Sequence, residues 1–136
     1  MIVGFNINSI KAKTNVENAS AEIKVNSTPL VVDIEKRDIE EMKDLLAIKF
    51  SFKVDYEPSA GEIKLEGDVL YKSDHHKEIM KRWKDSKTLP ADIAVEVLNG
   101  IFRGCLIKAV ALSADLRLPP PVRFPIVTKD QQAKKE

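Results

Sequence analysis

One cysteine, no charge imbalance and no long apolar run set the first limits on this chain. Cys105 stands alone, so no intramolecular disulfide can form. It falls on an apolar stripe of a predicted helix, which reads as a buried, inert thiol rather than a nucleophile. Acidic and basic residues nearly cancel, at a formal net charge of +1. That excludes a dominant nucleic-acid footprint and leaves room only for a local basic patch. No apolar stretch reaches the roughly 18–20 residues a membrane span needs, so no membrane insertion is expected. Met1 leads directly into a strand pattern without a basic leader, which predicts a cytoplasmic protein with no signal peptide.

Enzyme signatures are also missing. The chain has no glycine-rich phosphate loop, no nucleophile elbow and no Cys/His set at zinc spacing. Asp74, His75 and His76 are adjacent, but neighbouring helical side chains point about 100° apart and do not converge on one metal. Asp74 reads as a helix cap. Asp92 and Glu96 lie one helical turn apart with no partner nucleophile, which reads as a solvated face. The expectation is a non-enzymatic protein with neither cofactor nor metal.

What is present is an alternating first half and a helical second half. At 136 residues the length suits one domain, expected over residues 1–127, with residues 128–136 a disordered polar tail. Phe5 and Ile7 alternate with Asn6 and Asn8, and Ile10 and Ala12 continue on the other parity. A bulge near Asn8–Ser9 would reset the phase. A second strand runs through Ile23, Val25, Leu30, Val32 and Ile34, broken or split at Pro29, which lacks a donor for a central ladder. Arg37 to Lys43 reads as a charged connection with a helical turn. Leu46, Ile48, Phe50, Phe52, Val54 and Tyr56 share one parity, the mark of a sheet with one apolar face. Glu57 to Gly61 reads as a hairpin loop in which Gly61 supplies a positive φ. Ile63, Leu65, Val69 and Tyr71 mirror the third strand, with Lys64, Glu66, Asp68 and Lys72 pointing out.

Ser73-Asp74 caps a short helix over His75–Lys87, with His76, Ile79, Met80 and Trp83 on its apolar side. A long helix begins at Pro90 and is ended by Pro119, Pro120 and Pro121. Its stripes differ in character. Ile93, Val97, Ile101 and Cys105 form one, and Leu98, Phe102, Leu106 and Val110 another. Ile107 falls where the polar stripe should continue. A helix apolar on most sides is buried on most sides. One thin sheet cannot supply that cover, so Phe102, Leu106, Ile107 and Val110 are expected at a subunit interface. The predicted class is α+β: a four-stranded antiparallel sheet followed by a short helix and a long helix packed on it.

Apolar surface then carries the functional expectation. Tyr56, Trp83 and the exit Leu118, Pro119, Pro120, Pro121, Val122 and Phe124 are the candidates for holding extended polypeptide. A rival reading places RNA or a ribosome on the basic helix over residues 75–87, through Lys77, Lys81, Arg82 and Lys84 beside Trp83.

The element order and three short motifs resemble the SecB-like export-chaperone family. Phe102-Arg103-Gly104-Cys105-Leu106 resembles that family's aromatic or small residue followed by Arg-Glu-Cys-Ile. Leu118-Pro119-Pro120-Pro121-Val122-Arg123-Phe124 resembles its proline-rich exit, and Leu89-Pro90 the Cys-Pro before its long helix. The resemblance implies a dimer of dimers with long helices at the interface between dimers, and the chain is expected to pair with itself as a dimer or tetramer. It also implies apolar grooves that hold non-native polypeptide without ATP, in protein export or in toxin–antitoxin control. Two positions depart from it. Family members coupled to an export motor are strongly acidic, whereas this chain is near neutral, and Gly104 stands where the family has Glu.

Overall fold

The computed structural model describes residues 1–15, 23–39, 42–58 and 60–122. Four strands come first: β1 (Ile2–Thr14), β2 (Lys24–Ile39), β3 (Met42–Glu57) and β4 (Gly61–Lys72). Two helices follow, α1 (His76–Ser86) and α2 (Ala91–Asp115). The strands form one antiparallel sheet in the order β1-β4-β3-β2. The helices cover one face, and α2 touches all four strands.

The alternation in β3 and β4 has the expected result. Phe50, Phe52, Val54, Tyr56, Ile63, Leu65 and Val69 are buried in one core with Val97, Ile101, Cys105 and Ala109 of α2. A register shift between Ile7 and Ser9 places the expected bulge in β1. Ile10 and Ala12 therefore pair with the inward Leu65 and Ile63. Gly67 sits opposite this bulge, where a Cβ would lie 1.9 Å from the Asn6 carbonyl oxygen. Close approach of two backbones accounts for it.

Several local expectations are corrected. β2 runs unbroken through Pro29, which pairs with Phe52. An edge strand leaves one side of its ladder free, so the missing donor costs little there. A second register shift, between Val31 and Asp33, changes parity within β2. Val31 and Ile34 face the helices, while Leu30 and Val32 are exposed at 57% and 55%. There is no helical turn over residues 37–39 or 42–43, because both strands extend into the hairpin. Gly61 does not adopt a positive φ. Space is its reason: a Cβ there would lie 2.8 Å from both Leu118 Cδ1 and the Lys13 carbonyl oxygen.

Both helix boundaries move slightly for stated reasons. α1 has His75 at its N-cap with no side-chain cap, and the Ser73 hydroxyl accepts from the His75 N–H instead. Pro90 is the N-cap of α2 rather than its first residue. α2 stops before the prolines. Leu118 N–H donates to the Ser113 carbonyl at 2.9 Å and Arg117 N–H to that of Ala114 at 3.3 Å, with Arg117 left-handed at φ 57°. This paired arrangement is a Schellman motif, which satisfies carbonyls the helix would otherwise leave open. Gly100 and Gly104, one turn apart, leave room for β1. A Cβ at Gly100 would meet Ile2, and one at Gly104 would lie 2.6 Å from the Phe5 ring. Phe5 in turn stacks on Phe50 at 5.2 Å between centroids.

Asp68 does not point into water as its parity suggested. It is 5% exposed. Its carboxylate accepts from the side-chain amides of Asn6 and Asn8 at 3.2 and 3.3 Å, and Arg37 lies 3.6 Å away. Two strands and the bulge thus share one buried anion, which needs those partners to offset its desolvation.

Candidate polypeptide-binding surface

The candidate residues fall into two groups, one at the β3–β4 hairpin end of the sheet and one at mid-sheet where α1 meets β2, with the outer side of α2 as a third region. The first group gathers at the β3–β4 hairpin. Tyr56 pairs with Gly61, Ala60 N–H returns to the Tyr56 carbonyl at 2.9 Å, and Leu118 packs onto Gly61. The Schellman turn directs Leu118 inward, to 8% exposure, so the start of the exit arm is anchored in the core. Pro119, Pro121 and Val122 remain half-buried and Pro120 is exposed. Phe124, the last residue of the candidate set, lies outside the described residues.

Tyr56 itself is 1% exposed, and its hydroxyl has no hydrogen-bond partner. Burial pushes its pKa up, with the Ser113 hydroxyl acting weakly the other way. Ser113 donates to the Val110 carbonyl at 2.7 Å. The recess at this end, about 550 Å3, is bordered by Lys13, Asp55, Glu57 and Glu62 as well as Tyr56. Its rim is charged rather than apolar.

Trp83 is not brought to this end. Its indole N–H donates to Asp33 Oδ1 at 3.2 Å, and Lys87 Nζ lies 5.6 Å from the ring centroid. Asp33 is opposite Lys49, seven residues along β3 from Tyr56, or roughly 23 Å at the rise of a strand. Trp83 is 6% exposed. The Ile34 N–H and then the Trp83 indole lower the pKa of Asp33. Trp83 therefore serves as a tether of α1 to β2, and its ring is not free to stack on a base.

The third region is the side of α2 turned from the sheet. Val97, Ile101, Cys105, Ala109 and Ser113 are the buried stripe. Phe102, Leu106 and Val110 flank it half-buried, and Phe102 meets Phe52 edge-on at 5.7 Å. Ile107 is 73% exposed and Val95 60%. Two residues of helix separate Cys105 from Ile107, about 200° of rotation, so Ile107 stands on the pole away from the sheet. Burial pushes the Cys105 thiol up to about 12, far from a reactive thiolate.

Among the described residues no group of three or more His, Cys, Asp or Glu could hold a metal ion. No described helix is long and apolar enough to cross a membrane. Sequence reasoning missed the Asp68 cluster and the Gly61–Leu118 contact. Neither has a local signature, because each joins residues more than 30 positions apart.

No protein-family model matches the chain, and neither does any curated protein. A solved structure does match: the Mycobacterium tuberculosis SecB-like chaperone Rv1957 in complex with a ChAD peptide from the HigA1 antitoxin. The TM-score is 0.60 at 11% identity, over 93% of this chain and 90% of that one. The fold is SecB-like. At that identity the likeness carries the architecture and not residue roles. The SecB-like fold accounts for the order of four strands, short helix and long helix. The Phe5 ring against Gly104 leaves no room for a longer side chain at that position.

Proposed function

We propose that this chain is an oligomeric, ATP-independent holdase that keeps extended or non-native polypeptide from aggregating. The observation that carries the proposal is the SecB-like fold together with the apolar outer side of α2, centred on Ile107. In this reading Phe102, Leu106, Ile107 and Val110 join copies of the chain. Residues 1–127 act as one domain in the cytoplasm. The arm Pro119–Val122 offers clients an apolar edge whose root is fixed by Leu118. Its prolines suit the role, since they restrict the arm before it binds and so reduce the entropy lost on binding. Tyr56 and Trp83 are buried in the core and would meet a client only after local opening. No catalytic step is assigned. The neighbour's antitoxin peptide makes control of a toxin–antitoxin pair the preferred setting over delivery to an export motor, in keeping with the near-neutral charge.

The test is light scattering of a denatured, aggregation-prone protein diluted with and without the purified chain, at low and high salt. Suppression near equimolar ratio at both salts is expected, because apolar contacts are not screened. The Pro119→Ser/Pro121→Ser/Val122→Ser variant should lose most of it. Absence of suppression by the parent chain at either salt would remove the holdase function.

A further inference from the structure

The groove between α1 and the end of β2 belongs to neither surface above. Lys36 pairs with the inward Leu46, so its side chain lies on the helix side of the sheet. There it faces His76, Lys77, Met80, Lys81 and Lys84 across a groove of about 420 Å3. The spacing explains the arrangement. Lys77, Lys81 and Lys84 recur at i, i+4 and i+7, and His76, Met80 and Lys84 at i, i+4 and i+8, two neighbouring stripes of one helix. Among the described residues Asp85 is the one carboxylate lining the groove. Lys36 also borders a recess with Asp38, Lys43 and Asp44, so the positive stretch ends there.

Three features bear on what fits. Among the described residues, none of these four lysines is in an ion pair, whereas Lys49, Lys53 and Lys64 on the sheet are each paired. The half-buried Met80 thioether lies between the lysines and supplies an adaptable apolar contact. His76, 8% exposed, lines the same groove with Nε2 at 3.5 Å from Asp44 Oδ1 and Nδ1 without a partner. A carboxylate accepts only, so Nε2 presents its proton toward Asp44.

We propose that this groove is a docking site for an acidic peptide segment bearing an apolar anchor side chain. The carboxylates of the segment lie along Lys36, Lys77, Lys81 and Lys84, and the anchor rests on Met80. Nucleic acid fits the same charge less well. Trp83, the aromatic residue of α1, is buried and hydrogen-bonded to Asp33, so no stacking platform accompanies the cations. The apolar floor also has no use for a phosphate. This site is independent of the holdase reading, because it shares no residue with α2 or the exit arm.

The test is fluorescence anisotropy on the full chain with three labelled probes: a peptide of alternating glutamate and leucine, its glutamine–leucine counterpart, and an oligouridine. The glutamate peptide should bind, and the glutamine peptide should bind roughly tenfold more weakly, since several exposed pairs act together. Lys81→Glu/Lys84→Glu should weaken the glutamate peptide by roughly tenfold or more. Met80→Ser should weaken it several-fold while leaving oligouridine unchanged. All three substituted positions are on the surface or half-buried, and far-UV circular dichroism checks that the variants fold. Suppression of aggregation should be the same in Lys81→Glu/Lys84→Glu as in the parent, which separates this site from the holdase surface. Equal binding of the glutamate and glutamine peptides, no binding of either, or an unchanged affinity in Lys81→Glu/Lys84→Glu overturns the proposal. Tighter binding of oligouridine than of the glutamate peptide, lost in the same variant, assigns the groove to nucleic acid instead.

Discussion

Ile107→Glu is the substitution that separates a lone chain from an assembled one. Ile107 is 73% exposed and opposite the sheet. In a chain that stays monomeric, a change there should alter folding stability by less than about 0.5 kcal/mol. If copies meet through this face, the exposed part of the side chain is buried on assembly. Full burial of an isoleucine is worth about 1.5–3 kcal/mol. Scaled by the 73% exposure, that is about 1–2 kcal/mol per copy. A twofold interface uses the same patch twice, giving about 2–4 kcal/mol per dimer. At about 1.4 kcal/mol per factor of ten, the dimer dissociation constant rises roughly 30- to 700-fold. The desolvation of two glutamates adds to this. Sedimentation velocity over a concentration series, with thermal melts alongside, reads both quantities. The parent chain should sediment as a dimer or larger, and Ile107→Glu should shift toward monomer at unchanged monomer fold. A parent chain that is monomeric at high micromolar concentration would refute the reasoning, as would a variant with the parent's assembly curve.

Two further outcomes follow from the packing and the buried groups. Gly67→Ala should destabilise by at least about 3 kcal/mol in urea titration, because the Cβ meets backbone rather than a flexible side chain. Gly4→Ala meets the end of Leu70 at 3.0 Å and should cost much less, so equal losses in the two variants would contradict the close-approach argument. Burial, then the hydrogen bond to Glu96 at 3.0 Å, pushes Tyr71 up to about 12, and burial also raises Tyr56. A raised phenol contributes stability that is present below its ordinary value of 10.0 and lost as pH rises through the folded value. The phenolate absorbance of both tyrosines should therefore appear above pH 10, together with loss of circular dichroism, and a phenolate signal at or below pH 10 from the folded chain would count against this burial.

The elements of this protein were legible in its sequence, and so was one irregularity. Period-2 alternation placed β3 and β4 in one hairpin with a single apolar face, and the parity change after Asn8 placed the bulge in β1. Helical spacing separated the stripe of Val97, Ile101 and Cys105 from that of Phe102, Leu106 and Val110. These are local patterns, set by the 2.0 and 3.6 residue periods of backbone geometry. Three motifs pointed to the SecB-like fold, and the fold agrees.

Tertiary structure alone decided the rest. In β2 the same alternation misled, because the shift after Val31 depends on pairing with β3 and turns Leu30 and Val32 outward. Pro29 could stay in a continuous strand only because β2 is an edge, and edge position is a property of the whole sheet. The long helix ends at a turn that places Leu118 on Gly61, so the two residues explain each other across the fold. Asp68 with Asn6, Asn8 and Arg37, and Lys36 with Met80 and Lys81, are groups whose members lie far apart in the chain. Side-chain period shows which way a residue points, but only the packed sheet and helices determine what it meets.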